Sequence, residues 1–366
     1  MGDVTAVRPA AHSRDARPAA TRGGPAVAGV ELTAGVVHVI VGRREDTRLR
    51  IIGKGEVALA EGAVNGGLVA DRGAAADALR AAFALAEHAH RAERVTVAID
   101  SDDMRTYHAS TAFEREDSRS AVAHGEETRA VREAAEAAGT HAAAATEEDA
   151  ALRGVATTRL HDDVAALALD GRGLPSLVGH RGRVLEVWTD VTVGSLVVTG
   201  AVTATLEATR RRGSLVSGAY ALGRLLAGSG ITDAGVIRLG ADATSLAVLR
   251  EGRVAATRVF ALGRTALAAR AAKAPEDARV WADCVVASLR GLDGPAPGRW
   301  IFVGVPEALL ALPQALEHVV GEIRGDEIDI APLAVALVSR VYGEGLRSDD
   351  LTAAGAAAIA AGIYDA

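Results

Sequence analysis

The residues whose types could bind a phosphorylated ligand lie at the turns of two strand-turn-strand patterns and at one later glycine. They are Glu31, Thr33, Gly35, Arg238, Gly240, Thr244 and Gly304. Glycine lets backbone N–H groups converge on an anion without a Cβ in the way. A carboxylate such as that of Glu31 can hold magnesium, and a guanidinium such as that of Arg238 suits phosphate or carboxylate. Together these types could bind an anion between the two turns, but neither turn is equipped to hold a nucleotide's phosphates, so the shape and the chemistry of the turns point in different directions.

Each of these residues also has an interpretation that involves no ligand. Arg238 is expected to pair with a nearby acid, because an unpaired buried charge is costly. Glu31, taken alone, is expected to be structural or solvated. The hydroxyls of Thr33 and Thr244 commonly bond local backbone in turns, and the glycines serve as turn formers. For Arg238 and Glu31 the sequence favours the interpretation without a ligand.

The elements that must position these residues are two meanders of short β-strands. The first occupies residues 29–41 and the second residues 235–249, and in each a charged link leads to a third apolar strand. Short β-rich runs punctuated by glycine and charge are typical of antiparallel hairpins. A helical pattern over 71–92 and a short strand at 94–99 follow the first meander. The repetition predicts two lobes of one architecture, with mixed sheets and helices on their faces.

Four stretches carry a resemblance to a known family. They are Ile51-Ile52-Gly53-Lys54-Gly55-Glu56 with Gly66 to Asp71, Leu169-Asp170-Gly171 through Val187, Gly235 to Leu249 with Val259 to Thr265, and Phe302-Val303-Gly304 through Leu310. In spacing and apolar pattern the chain from Ala26 onward resembles FtsA, the actin-like bacterial cell-division protein. The resemblance implies an α/β fold, the actin-like (RNase H-like) two-lobed fold with repeated meander-plus-helix lobes. It also implies a small inserted α+β subdomain of the SHS2 type, as in the FtsA and PilM branch.

The same resemblance divides the chain into six segments. They are a disordered tail at 1–26, the first lobe at 27–99, an inserted FtsA-type (SHS2/1C-like) subdomain at 100–186, the first lobe continued at 187–230, the second lobe at 231–340 with a shortened subdomain at about 264–298, and a C-terminal helix at 341–366 that returns to the core.

The nucleotide site departs from the family's pattern. In the family the first hairpin opens with an aspartate and a Gly-Thr turn, often followed by lysine, whereas this chain has Glu31 and Val36 there. The second hairpin should have an aspartate and then glycines, whereas this chain has Arg238 and Gly240-Ala241-Asp242-Ala243. An Asp242 carboxylate about 4 Å from a phosphate costs on the order of 4 kcal/mol at an effective dielectric of about 20. These departures imply no catalytic residues and no metal site. No bound cofactor is expected, with ATP and magnesium as the alternative.

Composition narrows the class of partner and the compartment. The 366-residue chain has a formal net charge of −7, which argues against nucleic acid as the main partner, because phosphate contacts need clustered lysine and arginine. One cysteine, Cys284, excludes an internal disulfide framework and fits a reducing cytoplasm. No apolar run is long enough to span a membrane, and the basic amphipathic C-terminal helix usual in the family is not expected here. We expect a cytoplasmic protein without direct membrane insertion, associated with a membrane only through a partner.

The function that the resemblance implies is a cell-division scaffold or adaptor that has lost ATP hydrolysis. Its expected partners are division or envelope-assembly proteins, among them an FtsZ-like protein or the tail of a membrane protein, and self-association is a further option. The alternatives are a PilM-like adaptor of pilus or secretion assembly and an active actin-like ATPase with a non-standard phosphate site. An edge strand of the inserted subdomain, or residues 185–193, is expected to pair with a partner chain. The segment His161-Asp162-Asp163 is expected in a solvated turn rather than a metal site.

Overall fold

The first lobe is built on the predicted first meander. A computed structural model describes residues 24–270, 274–290, 292 and 294–364 of the chain. Of the tail predicted for residues 1–26, residues 1–23 lie outside the described residues, and Ala26 already begins the first strand. The elements up to the insertion are β1 (Ala26–Thr33), β2 (Val36–Glu45), β3 (Arg48–Ala58), β4 (Val64–Asn65), β5 (Leu68–Val69), α1 (Arg72–Ala86) and β6 (Arg94–Ile99).

The insertion, the return to the first lobe and the second lobe follow in that order. The insertion comprises β7 (Met104–Glu114), α2 (His124–Glu148), β8 (Thr157–Leu169), β9 (Arg172–Leu174) and β10 (Val184–Ser195). The chain returns through α3 (Leu196–Ala208), β11 (Ser214–Ser217) and α4 (Gly218–Gly228). The remainder comprises β12 (Ala234–Leu239), β13 (Thr244–Arg250), β14 (Arg253–Phe260), α5 (Arg264–Ala268), α6 (Ala274–Leu289), β15 (Arg299–Val303), α7 (Ala311–Arg324), β16 (Asp329–Pro332), β17 (Val341–Tyr342) and α8 (Leu351–Ala360).

The two large sheets share one strand order. The first sheet runs β11-β6-β1-β2-β3-β17 and the second runs β14-β13-β12-β15-β16. In each, an antiparallel meander of three strands is extended beside its first strand by two parallel strands. This repetition confirms the two-lobed α/β architecture that the two meanders predict.

Two buried helices join the lobes. Helix α4 follows β11 of the first lobe but packs on β13 and β14 of the second sheet, whereas α8 follows the second lobe and packs on β1, β2 and β6. The two helices touch where a Cβ on Gly355 would lie 2.3 Å from the carbonyl oxygen of Ala221. Helix α8 also lies against β1, because a Cβ on Gly29 would be 1.9 Å from the carbonyl oxygen of Ala353. Each lobe therefore contributes a helix to the face of the other lobe's sheet, and one apolar core spans both.

The inserted sheet has the strand order β7-β10-β8-β9, with α2 packed on it. It extends to Ser195 at the end of β10, past the predicted end of the insertion at residue 186. Strand β10 pairs with β7 on one side and with β8 on the other. The expectation that residues 185–193 offer a free edge is therefore wrong, because their backbone groups already pair on both sides. The outer strands of this sheet are β7 and β9.

Candidate functional site

A buried ion pair bridges the two lobes between the meander turns. The guanidinium of Arg238 on β12 contacts the carboxylate of Glu31 on β1, and their side chains are only 12% and 2% exposed. The carboxylate of Asp100, which follows β6, lies 3.9 Å from the same guanidinium. Asp100 also accepts a hydrogen bond of 2.9 Å from the backbone N–H of Ala219 at the start of α4. One cation of the second lobe therefore faces two carboxylates of the first, and the sequence's preference for an acid-paired Arg238 is confirmed.

The environment of Glu31 is electrostatically costly. Burial raises the pKa of its carboxyl group, and the Arg238 and His38 side chains oppose that rise. Among the described residues, no donor makes a well-oriented hydrogen bond to either oxygen of Glu31. The charge of this carboxylate is thus compensated by the nearby guanidinium rather than by hydrogen bonds. Removal of that guanidinium would leave a buried carboxylate without compensation.

Asp242 also reaches across the cleft. Its carboxylate accepts a hydrogen bond of 2.5 Å from the backbone N–H of Gly66, in the turn between β4 and β5. Gly66 has a left-handed backbone with φ of +55°, a conformation that glycine adopts without strain. The carboxylate of Asp242 therefore accepts the hydrogen bond that the N–H group of this turn could otherwise donate to a ligand in the cleft. The negative charge beside this N–H group belongs to the protein itself.

The space that remains between the two turns is very small. The cavity has a volume of about 10 Å³, and its lining includes Thr33, Gly67, Asp100, Arg238 and Asp242. A volume of about 10–15 Å³ is what one water molecule needs, whereas sites for small molecules occupy about 300–1,000 Å³. The cavity between the two turns is therefore about the size of one water molecule.

Three of the predicted site residues are turn formers at the rim of the cleft. The hydroxyl of Thr33 donates a hydrogen bond of 3.1 Å to the carbonyl oxygen of Val36, which closes the first hairpin turn. Gly35 in that turn has a φ of +94°, which favours glycine. The backbone N–H of Gly240 donates to the carbonyl oxygen of Ala243 at 2.9 Å and closes the second turn. Thr33 and Gly240 line the small cavity together with Arg238, whereas Gly35 is not part of its lining.

The two other predicted residues contact the core of the second lobe. Thr244 is fully buried. Its hydroxyl donates to the carbonyl oxygen of Leu262 at 2.6 Å and accepts from the indole N–H of Trp281 at 3.0 Å. Gly304 directly follows β15 and has a φ of +75°, and a Cβ there would lie 3.4 Å from the carbonyl oxygen of Leu239. Neither residue lines the cavity between the turns.

A second cluster ties the first sheet to the segment before α8. The ammonium of Lys54 on β3 lies 2.5 Å from the Asp350 carboxylate, and the imidazole of His38 lies 3.8 Å from it. The backbone N–H of Arg347 donates to the same carboxylate at 2.7 Å. Burial opposes ionisation of Asp350, but the contacts with His38, Lys54 and the Arg347 N–H outweigh it and hold the pKa of this carboxyl well below its usual range. The ionised carboxylate of Asp350 therefore stabilises the junction between the lobes.

A buried polar network holds the inserted sheet against α4. The expectation of a solvated turn at residues 161–163 is wrong, because these residues lie within β8 and Asp163 is buried. The Tyr220 hydroxyl lies 2.7 Å from Asp163 and 2.8 Å from Asp190, and Arg224 donates to Asp163 at 2.6 Å. Sequence reasoning missed this network because its members are far apart along the chain. The adjacent acids at residues 162–163 were the only local signal.

Two kinds of site are not found in the part of the chain that the structure describes. No three side chains of the His, Cys, Asp and Glu types are grouped so that they could hold a metal ion among these residues. No helix within the described ranges has the length and apolar character needed to cross a membrane.

Comparisons with known proteins identify the fold. No family model matches the chain, and no curated protein is similar to it in sequence. Among solved structures, the PilM–PilN type IV pilus biogenesis complex is similar with a TM-score of 0.52 and 16% identity, over 93% of this chain and 97% of that one. The ethanolamine utilization protein EutJ from Carboxydothermus hydrogenoformans gives a TM-score of 0.46 and 14% identity, over 92% of this chain and 90% of that one.

Component A of the (R)-2-hydroxyglutaryl-CoA dehydratase from Acidaminococcus fermentans gives a TM-score of 0.38 and 10% identity, over 93% of this chain and 99% of that one. At these identities structural similarity establishes the fold alone. The chain has the actin-like ATPase fold with an inserted α+β sheet, as the sequence predicts.

Proposed function

We propose that this protein is an actin-like adaptor that acts by protein–protein interaction and neither binds nor hydrolyses a nucleotide. The observation that carries the proposal is the buried contact between Arg238 and Glu31, which bridges the lobes at the place where a nucleotide's phosphates would have to lie. The Asp242 carboxylate adds a second bridge through the Gly66 N–H. The lobes are thus connected by charged side chains of the protein itself, those of Arg238, Glu31 and Asp242.

The energetic cost of admitting ATP supports this proposal. The ligand would have to separate Arg238 from Glu31, and breaking a buried ion pair costs about 3–5 kcal/mol. It would also bring phosphate charge against Asp242, at a further cost on the order of 4 kcal/mol. Together these approach the roughly 8 kcal/mol of binding free energy that corresponds to a dissociation constant of about 1 μM. Millimolar ATP is therefore not expected to bind.

The class of partner rests on two observations. The similar structure is, by its own description, a complex of PilM with PilN in type IV pilus biogenesis, which supports a protein partner for this chain. The insertion has the order β7, α2, β8, β10, with β9 as an added edge strand, which supports an SHS2-type subdomain available for protein contact. The structural similarity favours the PilM-like adaptor of pilus or secretion assembly. The FtsA-like division scaffold is the second candidate, since the resemblance of its hairpins and inserted subdomain to this sequence still supports it.

The proposal is tested by partner binding with and without nucleotide. The genes beside this one supply the candidates, because pilus genes favour the tail of a pilus membrane protein and division genes favour an FtsZ-like protein. We expect one of these purified partners to bind with the same affinity in buffer and in millimolar Mg-ATP, and no phosphate to be released. Phosphate release that disappears in a folded Arg238→Ala variant would support the active ATPase instead. Partner affinity that changes with ATP would also contradict the proposal.

A further inference from the structure

A groove separates the inserted sheet from the second lobe, away from the cleft between the meander turns. Its volume is about 620 Å³, within the range of ligand-binding sites. One wall includes residues 106–109 of β7 and the other includes residues 254–256 of β14. Strand β7 is an outer strand of the inserted sheet and β14 is an outer strand of the second sheet, and neither pairs with the other. Strands β7 and β14 approach each other over part of their length, so another strand could be added to one of these edges only where the groove separates them.

Arginine side chains line one part of this groove. The guanidinium of Arg253 lies 4.6 Å from the centre of the Trp188 ring and 2.7 Å from the carboxylate of Glu251. Arg258 is half-buried and donates one hydrogen bond, to the carbonyl oxygen of the preceding residue at 2.8 Å. Among the residues that the structure describes, no carboxylate lies within ion-pair distance of Arg258. This guanidinium is thus available to an anionic ligand.

The groove's acids that the structure describes are already engaged. Asp190 contacts the Nδ1 atom of His108 at 2.7 Å and the Tyr220 hydroxyl, and Asp149 pairs with Arg105 at 3.0 Å. Burial lowers the pKa of the Arg258 guanidinium, Arg105 lowers it further, and the nearby Asp149 carboxylate opposes both. The Nε2 atom of His108 is buried and has no hydrogen-bond partner among the described residues. With Nδ1 donating to Asp190, a neutral His108 ring leaves Nε2 as an acceptor, so the group at this groove that an acidic ligand could satisfy is the Arg258 guanidinium.

We infer that this groove binds an extended acidic segment of the partner protein. The inference rests on the proposed adaptor function and specifies its docking site. The backbone of the segment adds to the edge of β7 or β14, because an extended chain satisfies the N–H and C=O groups of a strand edge. Its carboxylates contact Arg258 and Arg253, and an apolar side chain packs on the exposed part of Trp188.

The chain's own N-terminal segment does not match this site. Residues 1–23 contain four arginines and two aspartates, so their charge has the same sign as the arginines of the groove. An acidic segment of another protein has the complementary sign. Charge complementarity also sets the salt dependence of binding, because salt screens the attraction between exposed charges, with a Debye length of about 10 Å at 0.1 M salt.

The test uses the full chain and a defined probe, the fluorescein-labelled peptide Glu-Val-Glu-Leu-Glu-Val-Glu. Fluorescence anisotropy measures its affinity, and intrinsic tryptophan fluorescence reports the position. Trp281 and Trp300 are fully buried, so Trp188 is the tryptophan that can respond. We expect binding that weakens with salt, and a fluorescence change that is lost in Trp188→Phe. Arg258→Gln should weaken binding at least about tenfold. Arg80→Gln removes an exposed arginine of α1 paired only within its helix, and it should leave the affinity unchanged.

Further variants of protein and probe separate the outcomes. If circular dichroism shows that Arg258→Gln does not fold, Arg253→Gln provides an independent test, because it should also weaken binding of the peptide. A probe with N-methylated backbone amides should bind at least about tenfold more weakly, because it cannot complete a strand ladder. Equal affinity of the unmodified peptide for wild type and for both arginine variants would overturn the inference, as would equal binding of a lysine-for-glutamate peptide.

The outcome for the groove is distinguishable from the outcome for the proposed function. If the whole partner binds independently of nucleotide but the acidic peptide does not bind, the inference about the groove is contradicted and the proposed adaptor function stands. If the peptide binds at the groove and the protein also releases phosphate, the inference about the groove stands and the proposed nucleotide-independent function is contradicted.

Discussion

A guanidinium and a carboxylate that face each other away from water are stable only as a pair. Arg238 and Glu31 are such a pair, and burial is the largest cause that raises the pKa of the Glu31 carboxyl group. The sequence indicated that Arg238 would pair with an acid, because an unpaired buried charge is costly. It could not identify Glu31 as the partner, since 207 positions separate the two residues and only the packing of the lobes brings them together.

The Arg238→Met variant tests how far the pair stabilises the fold. It leaves the Glu31 carboxylate buried without compensation, and we expect the free energy of unfolding at pH 7 to fall by about 3–5 kcal/mol. Urea unfolding measures this loss. The double variant Arg238→Met with Glu31→Gln removes both charges and should recover most of it, so the two single losses should not add. Additive losses would mean that the two side chains do not interact.

The pH dependence of Arg238→Met has a definite sign. Loss of Arg238 removes a contact that lowers the pKa of Glu31, so the folded-state pKa rises further above the ordinary value of about 4.3. The folded variant then binds a proton where the unfolded chain does not. The contribution of Glu31 to the variant's stability is therefore greatest below about pH 4.3 and declines as the pH rises through the folded-state pKa. Relative to wild type, the deficit should narrow on acidification, and a deficit that widens would contradict the assignment.

Asp350 should show the opposite dependence, because its pKa is lowered in the folded state. Its contribution is present above about pH 3.9 and is lost as the pH falls through the folded-state pKa. At pH 7 Asp350→Asn should lower the free energy of unfolding by about 3 kcal/mol, and the difference from wild type should shrink below about pH 3.9. Unfolding in urea across this range is the measurement. Asp349→Asn changes an exposed neighbour and should stay within about 0.5 kcal/mol of wild type at pH 7.

At the scale of the elements, the position of α8 depends on Gly29 of β1, which has no side chain at the point where the helix contacts the strand. A Cβ on Gly29 would lie 1.9 Å from the carbonyl oxygen of Ala353 and 2.3 Å from the backbone nitrogen of Ala357. Backbone atoms of a buried helix cannot yield as a flexible side chain can. We expect Gly29→Ala to displace α8 and to cost at least about 3 kcal/mol, the upper range for overpacked cores.

A matched glycine substitution controls for the change in backbone entropy. Gly200 is exposed within α3, and no atom lies within 4 Å of the position its Cβ would take. Gly200→Ala should raise the free energy of unfolding by about 1 kcal/mol, since alanine favours the helix interior over glycine. Thermal unfolding compares the two variants. Equal effects of the two substitutions would contradict close packing of α8 on β1.

The elements that the sequence did not predict are those whose residues are polar or whose strands are short. Strand β7 alternates threonine, histidine and serine with few large apolar residues, so it carries little strand signal. Between α3 and α4 the four-residue strand β11 is too short to give a clear strand signal of its own. Strand β11 forms with only four residues because its parallel pairing with β6 stabilises it, and its own strand propensity contributes little.

At the scale of the whole molecule, the repeat of two meanders predicted the two lobes, because apolar strands and glycine turns recur in one order. The sequence did not predict the exchange of α4 and α8 between the lobes. It also gave no sign that Asp242 would bond the turn at Gly66, since a carboxylate near a phosphate turn looks only repulsive until the facing N–H is known. Residues remote along the chain meet through packing, and that information is absent from local patterns.

The central claim is that the chain's own side chains, and not a nucleotide, connect the two lobes across the cleft. A thermal-shift titration of the purified protein with Mg-ATP, confirmed by calorimetry, tests it most directly. A ligand at a hundredfold excess over its dissociation constant stabilises a fold by about 2.7 kcal/mol, which is readily measured. We predict no shift and no binding heat at millimolar Mg-ATP. A saturable shift with a matching binding heat would mean that the contacts of Arg238 and Asp242 open to admit a nucleotide, and it would contradict the account.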